Sequence, residues 1–355
     1  MDNHDHVLVT GGAGYIGGTL VEGLLEEGNE VTVLDRCFFG TAHLDQLLKE
    51  YRGRLTLVKG DIRSVGSQIF EGVTAACDLA ALSNDPSGDL DPVVTYSINH
   101  LGRARVAYMA RERGVRRYVL ASSCSIYGFN SRDVHEGSRP NPLTAYAKAN
   151  YRAERDTLLM GDRNFCVTVL RQATVYGLSP GRMRFDLAVN AMARTAYEKG
   201  VIYVDGDGTQ WRPFVHVRDT ARAFREVLRT DPRQVEGQVF NVGSIEQNFQ
   251  IRGLAERISA ALGDVPIQHR PENADDRSYN VDFQKIEHDL GFTPEYTPEK
   301  AAREIFDALE SRELVEDPSW DTIDYYVRLL EGNPALFEPI DEVETISDLS
   351  SSLED

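Results

Sequence analysis

The chain has 355 residues and sets 38 basic against 56 acidic side chains, a formal charge of −18. With 41% hydrophobic and 26% charged residues, its composition is ordinary for a globular protein and excludes a disordered, collagen-like or fibrous chain. The acidity makes nucleic acid or an anionic membrane a poor partner. No stretch approaches the roughly 18 apolar residues of a membrane span.

In chain order, strands are predicted at His6–Thr10, Glu30–Leu34, Leu55–Val58, Asp78–Ala81, Tyr118–Ser122 and Cys166–Leu170. Helical periodicity lies between them, at Ile16–Glu27, Tyr96–Arg113 and Tyr146–Met160. Strands alternating with helices imply right-handed crossovers and a parallel sheet covered on both faces. After Gly177 the alternation loosens. Helices are expected at Arg182–Gly200 and Ile251–Leu262, and short strands at Pro213–Val217 and Val239–Val242. The expected fold is therefore α/β: a Rossmann-type doubly wound parallel sheet with a smaller C-terminal α/β substrate lobe. Residues 1–177, with returns near 214–243, form the first part and 178–337 mainly the second. The acidic stretch 338–355 reads as a flexible tail.

The N-terminal residues carry no basic n-region, so no secretory signal is expected. Cys37, Cys77, Cys124 and Cys166 include no C-x-x-C pair, which excludes a zinc site or disulfide framework. Reduced thiols in a cytoplasmic protein are the expectation. The histidines form no metal-binding cluster, so no metal is expected. Only six basic residues are lysines against 32 arginines, a bias that fits either a high-salt cytoplasm or a G+C-rich genome.

Val7–Thr10 runs into Gly11-Gly12-Ala13-Gly14-Tyr15-Ile16-Gly17 and then a helix. A glycine turn between a first strand and a helix lets backbone approach a pyrophosphate, and the helix N-terminus supplies N–H groups and its dipole. The spacing, Gly11-x-x-Gly14-x-x-Gly17, differs from the commoner G-x-G-x-x-G. Asp35 follows at the end of the second strand, where a carboxylate binds both ribose hydroxyls of NAD and repels the 2′-phosphate of NADP. Arg36 comes next and leaves dual use open. Asp61 and Ile62 suit either the adenine edge or a turn with a helix cap. Further along, Ser123 ends a strand and Tyr146 opens a helix. A hydroxyl beside a helix-borne tyrosine can polarise a substrate alcohol, the tyrosine relaying the proton.

With these residues the sequence resembles the extended short-chain dehydrogenase/reductase superfamily, in its NAD-dependent nucleotide-sugar epimerase/dehydratase branch. The resemblance covers about residues 6–310 and includes Leu79-Ala80-Ala81, Asn99, Ser122-Ser123, Tyr146, Leu170-Arg171, Arg212-Pro213-Phe214-Val215-His216 and Asn241-Val242-Gly243. It implies NAD as cofactor, held by Gly11, Gly14, Tyr15, Ile16, Gly17, Asp35, Arg36, Asp61, Ile62, Ala80, Ala81, Asn99 and Tyr146. It makes Ser123 the catalytic hydroxyl and Tyr146 the acid/base. Arg212 and Arg277 would grip a nucleotide diphosphate. Ser83, Asn84 and Thr174 would touch the sugar. Arg182 and Arg184 would either reach the anionic part of the ligand or sit on a helix start. Family members commonly dimerise through the helices corresponding to Tyr96–Arg113 and Tyr146–Met160, so a homodimer is implied; Val106, Met109 and Ala110 suit such a bundle or plain core packing.

Two departures carry information. The family's Tyr-x-x-x-Lys places its lysine at position 150, where this chain has Asn150. That lysine normally touches the nicotinamide ribose and lowers the tyrosine's pKa. Lys148 lies about 200° around the helix and is poorly placed to replace it. Altered acid/base catalysis, or a lysine recruited from elsewhere, is expected. Second, the family's dehydratases and decarboxylases carry carboxylates just after the catalytic hydroxyl, and its 3,5-epimerases a cysteine two positions after it. Here Cys124 and Ser125 stand there. What remains is redox at C4: an NAD-dependent nucleotide-sugar epimerase, most like a 4-epimerase working through a transient 4-keto sugar. The rivals are a 4-ketoreductase or dehydrogenase, and a non-catalytic nucleotide-sugar or NAD-binding protein that lost the lysine.

Overall fold

A computed structural model describes residues 5–131, 133–271 and 277–347. Six strands, β1 (His6–Thr10), β2 (Glu30–Asp35), β3 (Leu55–Lys59), β4 (Ala75–Asp78), β5 (Arg117–Ser123) and β6 (Cys166–Gln172), build the main sheet. The order across it is Val239–Val242, β6, β5, β4, β1, β2, β3 and then Glu344–Ile346. All pairings are parallel except the last. Strands covered on both faces read as apolar runs. In β1, Val7 and Val9 enter one core cluster and Leu8 the opposite one, following the period-two alternation of a strand.

The helices of this half are α1 (Tyr15–Glu26), α2 (Ala42–Glu50), α3 (Asp85–Leu90), α4 (Pro92–Tyr96), α5 (Arg103–Glu112) and α6 (Ala145–Leu158). The single helix expected over Tyr96–Arg113 is in fact α4 and α5 joined by a widened π turn at Ser97–Gly102. The fourth strand ends at Asp78, three residues before the predicted Ala81, because the chain turns there to line the crevice between β1 and β4. The strand order reverses at that crevice, which is where such sheets bind ligands.

The return to the main sheet consists of Val239–Val242 and helix Val217–Arg229, whose Phe224 and Val227 pack with Leu20 and Leu24 of α1. Strand Trp211–His216 instead joins Thr174–Tyr176 and Asn248–Gln250 in a small sheet. Ile202–Asp205 pairs with Ile267–Arg270, and helices Ala188–Lys199, Ile251–Ala261 and Pro298–Glu310 close this lobe around a separate core.

The acidic tail is a correction. Glu344–Ile346 pairs antiparallel with β3, and Ile346 packs on the main core. Edge pairing uses backbone groups, which an acidic composition leaves intact. Residues 348–355 lie outside those described. Val106, Met109 and Ala110 are also buried inside the chain's own core, so that side of α5 is not a bundle face.

Candidate active site

A cleft of about 680 Å3 runs across the C-terminal ends of β1–β6 and under the small lobe. At its floor the glycine turn leaves no room for side chains. Gly11 has φ 72°, and a Cβ at Gly17 would stand 2.1 Å from the Gly11 carbonyl oxygen. The backbone is thus bare where α1 begins, as an anion at a helix N-terminus requires. Asp35 ties this turn to its own strand, accepting from the Ala13 and Cys37 N–H groups at 3.0 and 2.7 Å. Several buried polar atoms along the cleft lack a partner among the described residues, including Ser125 Oγ, Asn150 Nδ2 and Gln172 Oε1. Orphaned polar atoms over a bare backbone floor suit a long polar ligand, so the residues present fit a dinucleotide.

Of the expected cofactor residues, Gly11, Gly14, Tyr15, Ile16, Gly17, Asp35, Arg36, Asp61, Ile62, Ala80, Ala81 and Tyr146 line the cleft. Arg36 is committed elsewhere. It donates to Asp61 at 2.7 Å and to the carbonyls of Leu336 and Glu338 at 2.9 and 3.0 Å. Asp61 also takes a bidentate grip from Arg63. A neutralised Arg36 makes a poor 2′-phosphate site, which favours NAD over NADP. Asn99 is a correction: its amide bonds Leu82 in both directions at 2.9 and 3.0 Å, fully buried behind the wall. It braces the 80–83 turn and does not line the cleft. Tyr15 lines it, but its hydroxyl points away to the Gly177 carbonyl.

The expected catalytic pair meets in the same cleft. Ser123 ends β5 and its Oγ accepts from the Ser125 N–H at 3.1 Å. Tyr146 is the second residue of α6, capped by Thr144 Oγ1. Burial raises the phenol's pKa and the nearby Asp85 carboxylate raises it further, while Arg103, Ser123 and Asn150 pull it down. Cys124 is buried, its thiol pushed up by burial and turned to the Arg171 carbonyl, so it packs and does not act as a base. Lys148 is exposed, on the far side of α6.

The substrate residues Ser83, Asn84, Thr174, Arg182, Arg184, Arg212 and Arg277 all line the cleft. Arg184 pairs with Asp186 at 2.5 Å and bonds Ser83 Oγ at 3.2 Å, and Asn84 donates to Asp186 at 2.8 Å. Arg182 donates to Ser319 O and Thr322 Oγ1 and stacks on Phe39. Arg277 pairs with Asp85, and Arg212 donates to the Arg277 carbonyl. The cleft residues that escaped the sequence reading include Asp85, which also accepts from Thr144 Oγ1, and Arg103. Arg103 continues inward the buried stripe Val106, Ala107, Ala110 of α5. An arginine on an otherwise apolar stripe was the available signal.

Fold and site together define an α/β enzyme that works with a bound dinucleotide. The chain belongs to the NAD dependent epimerase/dehydratase family, whose model matches residues 7–243. UDP-glucose 4-epimerase of Lactobacillus helveticus is 28% identical over 313 residues, covering 82% of this chain and 92% of the relative. UDP-glucuronate 4-epimerase of Thermodesulfobacterium geofontis (strain OPF15) is 27% identical over 327 residues, covering 88% and 98%. Among solved structures, MoeE5 in complex with UDP-glucuronic acid and NAD aligns with a TM-score of 0.74 and 28% identity, covering 87% of this chain and all of that one (100%).

Proposed function

We propose that this protein is an NAD-dependent nucleotide-sugar 4-epimerase. The observation that carries the reading is the meeting of Ser123 and Tyr146 with the glycine cradle in one cleft, where positions 124 and 125 hold a buried thiol and a hydroxyl and no carboxylate. NAD, when bound, supplies a hydride acceptor and donor at the sugar carbon. Tyr146 takes the C4 hydroxyl proton and returns it after the 4-keto sugar has turned. Ser123 holds the same oxygen by hydrogen bonding. Gly11, Gly14, Gly17 and Asp35 hold the cofactor. Arg212 and Arg277 take the diphosphate, which replaces Asp85 as the acceptor for Arg277 because it brings more negative charge. Ser83, Asn84 and Thr174 face the sugar. The 4-epimerase names and UDP-sugar complexes of the relatives support this substrate class.

A second copy of this chain is proposed to cover the α4–α5 face, where Val93, Leu101 and Tyr108 are 79%, 61% and 55% exposed. A cytoplasmic setting suits the four unpaired cysteines, and no described helix is long and apolar enough to cross a membrane. The test is a panel of UDP, GDP, CDP and dTDP sugars followed by NMR, with absorbance read at 340 nm. The expected result is a C4 epimer with no net change at 340 nm. A stoichiometric change in absorbance, or NAD binding without conversion of any sugar, would contradict the proposal.

A further inference from the structure

Position 150 carries no charge, yet a cation stands directly behind it. Arg103, 1% exposed, reaches from α5 across to α6 and donates from Nη1 to Asn150 Oδ1 at 2.8 Å. Its other amine, Nη2, donates to the Asp78 carbonyl at 2.8 Å and to the Ala121 carbonyl. Asp78, 3.7 Å from Nε, is its counter-ion and is itself held by Thr10 and Tyr118. A guanidinium is a donor only, so its bond fixes which way the Asn150 amide faces. The carbonyl must turn to Arg103. Nδ2 is left buried on the wall of the cleft, making no close hydrogen bond among the described residues while it lowers the pKa of the Tyr146 phenol. Burying an arginine is costly unless it is well paired, and this one is held by partners from β4, β5 and α6 in the wall of the cleft.

We propose that Arg103 is the positioning cation of this site, acting through Asn150 in place of the family's lysine. Asn150 supplies the hydrogen bond toward the nicotinamide ribose, and Arg103 supplies the charge. The inference rests on the proposed function only in taking Tyr146 as the proton relay. The charged groups around Tyr146 include Arg103 from α5, Arg184 from the loop before Ala188, and two carboxylates of α3: Asp85, which pairs with Arg277, and Asp89, which accepts from the Ala145 N–H at 3.4 Å. About two turns further along α6, Glu154 is neutralised by Arg171. A cation favours the phenolate and a carboxylate opposes it. Removing Arg103 therefore raises the pKa of Tyr146.

The test uses holoenzyme labelled with 13C at tyrosine Cζ, with no sugar present; the Tyr146 signal is assigned by its loss in Tyr146→Phe. In Arg103→Met the Tyr146 titration is expected to move up by about one pH unit or more, a tenfold change in ionisation. Asn150→Lys in that background is expected to bring it back. An unmoved titration in folded Arg103→Met overturns the inference. If Arg103→Met does not fold, Asn150→Leu decides: it keeps Arg103 on its carbonyl partners but cuts the relay. It is expected to weaken NAD binding, read by calorimetry, about tenfold, and unchanged binding overturns the inference. Both readouts are independent of turnover. A protein that shows the shift but epimerises no nucleotide sugar loses the proposed function and keeps this inference. One that epimerises with an unmoved tyrosine does the reverse.

Discussion

Tyr146 holds its reactive oxygen between opposing influences. Burial and Asp85 push its pKa up, and Arg103, Ser123 and Asn150 pull it down. In the proposed reaction the relay must start as phenolate to take a proton, so kcat/KM is expected to fall as pH drops through the tyrosine's pKa. Asp85→Asn removes an influence that raises the pKa. The acid limb of the pH–rate profile should then move to lower pH, and a move to higher pH would show that Asp85 acts otherwise. Tyr146→Phe is expected to cost about 10²- to 10⁴-fold in kcat while leaving NAD bound, checked by cofactor content after gel filtration. Gly17→Ala places a methyl on the Gly11 carbonyl; a stability loss of roughly 1–3 kcal/mol and loss of retained NAD are expected, read as Tm and cofactor content. Gly11, Gly17, Asp35 and Tyr146 were legible because their signals are local: a turn, a strand end, a helix start. Arg103 was not, because its role depends on a partner 47 residues away that only the packing of α5 on α6 brings near. Asn99 was misread for the same reason, since its partner Leu82 lies on a loop whose path the sequence does not give.

Among the elements, the C-terminal segment changes most between sequence and structure. Its Leu336 and Glu338 carbonyls fix Arg36, its Ile340 carbonyl accepts from Ser64, and Glu344–Ile346 extends the sheet beside β3. Helix Thr322–Gly332 ahead of it sets Tyr326 against Phe38, Phe39 and Phe337 at the cofactor end of the cleft. The segment straps the Asp35–Arg36 corner that would hold the adenosine ribose. Deleting residues 336–355 is expected to speed NAD release about tenfold, or ~1.4 kcal/mol, in a displacement experiment. Unchanged release would reduce the strap to an edge cover. Five of the six parallel strands were legible because buried strands are apolar runs; the fourth was placed three residues late. The strap was not, because backbone pairing at a sheet edge leaves no apolar alternation to read.

At the scale of the molecule, the topology explains why the sites meet. The glycine turn, Asp35, Ser123 and the Ala80–Ala81 turn all follow strands of one sheet, so they gather at one end. The small lobe brings Arg212, Arg277 and Thr174 over them. This arrangement makes oxidation and re-reduction at one carbon, by one retained cofactor, the central claim. The most direct measurement incubates the protein with UDP-sugars carrying deuterium at C4 and follows the label in the epimer. The account predicts that the product keeps its deuterium at C4. Exchange of that deuterium for solvent hydrogen in the epimer would contradict it.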